Sequence, residues 1–142
     1  MIMCIIECTS KEGIKNNFKY KLSRNENFED RLEWKFSVIP EDENFTDFFY
    51  LSAEEVNSET LKVTMINHHN QDIYIAKGIP ERIIRELAII SGQRVISSSN
   101  KTQYQSFGAE FRTPPATKVW DRIKTIGNAT YDSEKDIYSY EL

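Results

Sequence analysis

Only two cysteines occur in the 142 residues, too few for a disulfide-stapled scaffold. Cys4 and Cys8 fall at an even spacing on one predicted strand, facing the same side but roughly 13 Å apart along it, beyond bridging distance. Both are expected to be buried, reduced thiols. With two histidines in the chain and no cluster of soft ligands near the thiols, no metal site is expected. Long hydrophobic runs are missing too. The apolar stretch 2–6 is too short for a signal-peptide core and is followed at once by Glu7 and Lys11, and nothing else approaches a membrane span. The expected location is therefore cytoplasmic. Positive charge is not in excess: 18 Lys and Arg are scattered among 22 acids, giving a net charge of −4 and a pI near 5.3. A nucleic-acid footprint is not expected on these terms. Neither a repeat of 20–50 residues nor a Pro/Gly/Ser linker divides the chain, so residues 1–142 are expected to form one domain.

What the chain does contain is aromatic bulk. Eight Phe, seven Tyr and two Trp accompany 39% apolar residues, enough to build a core at this length. The first half reads as strands joined by polar connections. From Leu32 to Val38 every second residue is apolar, the pattern of a strand with one wet and one dry face. Phe48, Phe49, Tyr50 and Leu51 form a continuous run suited to a strand covered on both sides. Ser52 to Glu55 carries a capping-box pattern and predicts a short helical turn ending by Asn57. Leu61, Val63 and Met65 alternate with Lys62 and Thr64 in a further strand.

The second half reads as helix, strand, helix and hairpin. Pro80 opens a helix with Ile83, Ile84, Leu87, Ala88 and Ile90 on one stripe, and Gly92 supplies its left-handed end. A strand over 73–75 is expected to cross through this helix to Arg94, Val95, Ile96 and Ser97. The polar connection 97–108 is long enough to be either mobile or part of a site. Thr113 caps a second helix bearing Ala116, Val119, Trp120, Ile123 and Ile126, and Gly127 ends it. Residues 128–131 and 136–140 should close as a β-hairpin. The expected class is α+β: a mixed, mainly antiparallel sheet, two principal helices and a C-terminal β-hairpin.

Residues 61–140 resemble the later half of a GNAT-type N-acetyltransferase in the order of strand, Lys77-Gly78-Ile79 turn, helix, Ser91-Gly92, strand, loop, helix and final β pair. The resemblance implies that acetyl-coenzyme A is the cofactor. Its pyrophosphate would lie against the backbone N–H groups of Gly78, Ile79 and Glu81, with Lys77 supplying positive charge. Ile75 and Pro80 depart from the family's turn, and Pro80 offers no N–H. The family's tyrosine acid would fall at Trp120, and residues 13–23 are the only early candidate for a helix. With these departures, the resemblance implies a GNAT-like domain that is either a degenerate acyl-coenzyme A binding protein or an N-acetyltransferase.

Other patterns lead elsewhere. His68 and His69 are adjacent and are expected in an exposed turn. Ser97, Ser98 and Ser99 lack a nucleophile elbow and read as a strand end and flexible loop. Residues 114–126 with the Tyr131/Tyr138 hairpin resemble a recognition helix and wing, but Asp121, Asp132, Glu134 and Asp136 would repel phosphate. The acidic segments 26–30 and 40–43 would suit a basic protein partner. A non-enzymatic protein-binding module, engaging another protein or a second copy of itself, is the alternative function.

Overall fold

In the computed structural model, which describes residues 3–44, 47–107 and 110–142, five successive antiparallel strands build most of a single sheet. They are β1 (Cys4–Thr9), β2 (Lys15–Glu26), β3 (Leu32–Pro40), β4 (Phe49–Asn57) and β5 (Thr60–Asn67). Helix α1 (Ile79–Ser91) carries the chain back to β6 (Arg94–Ile96), which lies parallel to β5. Helix α2 (Pro114–Thr125) leads to the hairpin of β7 (Ala129–Asp132) and β8 (Ile137–Tyr140). The sheet order is β1-β2-β3-β4-β5-β6-β8-β7, and β5/β6 is its one parallel pair among the described residues. The domain is therefore α+β, mainly antiparallel, with the C-terminal hairpin in place. No helix among the described residues is long and apolar enough to cross a membrane.

Alternation along the strands gives the sheet a dry face. Trp34, Phe36 and Val38 stand opposite Ala53, Leu51 and Phe49, and all six are buried. Helix α1 packs on this face and touches β1, β6 and β8. One helix can reach both the first and the seventh strand of the order only if the sheet curls around it. The Tyr20 hydroxyl donates to Glu86 at 2.7 Å, tying β2 to the same helix. Helix α1 buries Ile79, Ile83, Ile84, Leu87 and Ala88, while Ile90 lies at the exposed margin. Gly92 takes φ 65° and closes the helix through its N–H to the Ala88 carbonyl. Thr113 accepts from the Ala116 amide and caps α2, and Trp120 and Ile123 are that helix's buried residues.

Several expectations are corrected. Residues 52–55 are strand, because both edges of β4 are paired: Ser52 with Lys35 and Met65, Glu54 with Glu33 and Lys62. Tertiary pairing overrides the local capping signal. The early helix candidate at 13–23 is no helix, in keeping with the expected lack of early helices: from Lys15 it forms strand β2. The crossover to β6 starts from β5, since Asp72–Tyr74 is a single 3₁₀ turn. Tyr74 anchors it, buried with its hydroxyl donating to the Asp47 carbonyl at 2.8 Å, and Ile73 packs partly buried against the core. Cys8 is buried but Cys4 is exposed at the strand's open end. Ile126 is exposed as well.

Candidate functional site

The parallel pair is short. Thr60, Leu61 and Lys62 align with Arg94, Val95 and Ile96, after which β5 continues to Asn67 while the other chain departs at Ser97. Opposite β4, Ser52 pairs with Met65 and Ala53 with Val63, leaving Thr64 as an extra residue. This bulge bends β5 away where its partner leaves it. A cleft of about 360 Å³ opens at the parting, walled by Glu54, Val63, Ser98, Phe107, Phe111, Thr113 and Trp120 among others.

Two buried charge networks hold the connection after β6 against the sheet. In the first, Lys62 Nζ donates to Glu110 at 2.9 and 3.1 Å and to Ser106 Oγ at 2.9 Å. Glu110 also accepts from the backbone amides of Ser99, Ser106 and Phe107. In the second, Arg112 spans Asp136, the carbonyls of Ser98 and Asp136, and Thr117 Oγ1. Asp136 further accepts from the Asn100 amide and the Tyr131 hydroxyl. Burial acts to raise the Asp136 pKa, but Arg112, the Asn100 amide and Tyr131 together hold it below the ordinary carboxylate value. The three serines belong to this seam. Ser98 Oγ donates to the Val63 carbonyl, Ser99 Oγ to the Lys135 carbonyl, and Ser97 Oγ accepts from the Tyr138 amide. All three are buried, so they are structural linkers rather than an exposed loop. The Gly108 end of the connection lies outside the described residues.

Of the two other acids at the cleft, Glu54 and Glu29, Glu54 accepts from Asn27 Nδ2 at 2.6 Å and Arg31 Nε at 2.9 Å. Arg31 also pairs with Glu29 and lies 4.2 Å from the centre of the Phe107 ring. Trp120, at the cleft floor, stacks on Tyr138, whose hydroxyl donates to Asp121. Burial, and then the Asp121 carboxylate, push the Tyr138 hydroxyl up to about 12. Glu54, Glu110 and Arg112 thus each hydrogen-bond to protein partners. Such a cleft can seat a ligand between charged groups that already have partners.

The residues expected to hold a coenzyme lie elsewhere. Gly78 precedes α1 with φ 79°, and its Cα packs so closely on the Thr9 carbonyl that a Cβ would overlap it. Ile79 is wholly buried. Glu81 folds its carboxylate onto its own backbone N–H and pairs with Arg122 at 3.3 Å; burial raises its pKa, and these two contacts oppose the rise. Lys77 is half-buried and lines neither this region's cavity nor the cleft. Gly78 and Glu81 line a second cavity, of about 390 Å³, between α1, α2 and the end of β1, which shares no lining residue with the cleft. His69 packs edge-on against Tyr50, and no group of three metal-ligating side chains occurs among the described residues.

Lys62 and Arg112 were invisible as site residues in the sequence. Lys62 occupies a polar slot in an alternating strand, and its partner stands 48 positions away. No family model, no curated protein and no solved structure matches this chain.

Proposed function

We propose that this domain is a protein-binding module that uses the mouth of the β5/β6 cleft as its contact surface. The observation that carries the reading is an exposed aromatic rim beside a cleft whose charged side chains pair with one another or with neighbouring protein groups. Phe111 lines the cleft at 66% exposure, and Phe28 is fully exposed in the turn that also contributes Glu29 and Arg31 to the cleft wall. Exposed aromatics of this kind are enriched at interfaces. Glu26, Glu29 and Asp30 flank Phe28 and are exposed, so the partner is a segment that brings apolar and basic side chains together. Affinity capture with wild type and with Phe28→Ser/Phe111→Ser tests this. Proteins carrying such a segment should be retained by wild type and by an Ile126→Ser control, and lost from the double variant. Equal capture by all three would overturn the reading.

A second reading, a GNAT-like domain binding acetyl-coenzyme A, draws support from the order strand, helix, strand, helix and hairpin, and from the cleft where the parallel strands part. A thermal-shift titration separates the two. Acetyl-coenzyme A at 100 times its dissociation constant would add about 2.7 kcal/mol, whereas a pure protein-binding module would show no shift.

A further inference from the structure

The second cavity has an electrostatic lining unlike that of the cleft. Arg82 and Arg85 reach it from α1 and Arg122 from α2, opposed by Glu7 and Glu81. Arg82 gives one nitrogen to Glu86, and Arg122 gives its nitrogens to Glu81 and the Thr9 carbonyl. A guanidinium carries five N–H donors, so both retain donors for a ligand. Arg85 takes part in none of the ion pairs among the described residues. Tyr140 is more than nine-tenths buried yet lines the cavity, with both Arg85 and Arg82 close enough to act on its hydroxyl. Unlike Tyr20, Tyr74 and Tyr138, whose hydroxyls donate to a protein acceptor, that hydroxyl has no such bond among the described residues.

We propose that this cavity is a binding site for a small phosphate-class oxyanion, held by Arg82, Arg85 and Arg122 with the Tyr140 hydroxyl as a further donor. Donors arriving from two helices and a strand suit an anion whose oxygens point in tetrahedral directions. A carboxylate presents two oxygens in one plane and would serve fewer of them. The lining carries an excess of one positive charge, three arginines against two glutamates, which favours an anion. The grip is by side chains. The N-terminus of α1 contributes little, since Glu81 covers its own amide and Pro80 has none. The site is separate from the protein-binding surface proposed above and does not depend on it.

Inorganic phosphate and pyrophosphate are the probes, titrated against the full chain at constant ionic strength and followed by phosphorus NMR and thermal shift. Wild type should give saturable binding of at least one of them. Arg85→Gln should weaken it at least tenfold and Tyr140→Phe several-fold. Neither replacement removes a protein hydrogen bond, so both variants should keep the native circular dichroism. Lys118→Gln, on the exposed side of α2, should bind as wild type does. Absence of saturable binding to wild type would overturn the proposal. So would an equal loss in Lys118→Gln, which would reduce the effect to general charge attraction.

Discussion

Lys62 and Glu110, 48 residues apart in sequence, form an ion pair with side chains only 1% and 2% exposed. The pair is unequal in its support. Glu110 also accepts three backbone amides, whereas among the described residues Lys62 has only Ser106 besides Glu110 as a hydrogen-bond acceptor.

That inequality sets the outcome of removing either partner. Glu110→Ala strands a buried ammonium and three amides, and should destabilise by about 3–5 kcal/mol. Lys62→Met leaves a carboxylate still bound by three N–H groups, and should cost about 1–3 kcal/mol. Urea denaturation of both variants checks the order. Equal costs would mean that the amides do not support Glu110.

The same pair shows where sequence stopped being informative. The dry face of β3, the Pro and Gly boundaries of α1, the Thr113 cap and the final hairpin were legible because each signal is local: a period, a cap or a turn. The strand at 52–55 was not, since a capping box is also an ordinary strand segment once β3 and β5 pair with it. Ile73, Tyr74 and Ile75 carry strand-like side chains, yet a single turn that buries Tyr74 and packs Ile73 on the core satisfies that segment. Neither cavity was legible, because its walls are assembled from residues distant in the chain.

Asp136 and Arg112, 2.6 Å apart, should make stability depend on pH. The folded pKa of Asp136 lies below its ordinary 3.8, so its contribution is fully present above the unfolded value and is lost as pH falls through the folded one. Asp136→Asn keeps a residue that tolerates the positive φ of 55° at this position but removes the charge opposite Arg112. It should cost about 3 kcal/mol at pH 7. The gap to wild type should narrow in strong acid. A gap independent of pH, read from denaturation midpoints, would remove Asp136 as the titrating partner.

Gly78 is constrained twice, by φ 79° and by the Thr9 carbonyl against its Cα. Gly92 is constrained once, with φ 65° and open space around it. Gly92→Ala should therefore cost about 1 kcal/mol, and Gly78→Ala distinctly more, since β1 must also shift away from α1. Thermal denaturation of the two variants tests this. Equal costs would mean that the Thr9 contact yields freely, and that the end of β1 can open over the start of α1.

Cys4 and Cys8 point to the same side of β1 but meet different surroundings, because α1 covers the strand only towards its later end. Cys8 faces Glu81 and Arg82 from α1; burial, partly opposed by Arg82, pushes its thiol up to about 12. The thiolate is the reactive form, so Cys8 should be inert to a thiol reagent at pH 8 in the native protein. Cys4 is exposed and should react. Titration should thus count one thiol before unfolding and two after it. Two thiols reacting at equal rates in the native state would show that β1 leaves the sheet edge within the assay, and would detach Thr9 from both Gly78 and Arg122.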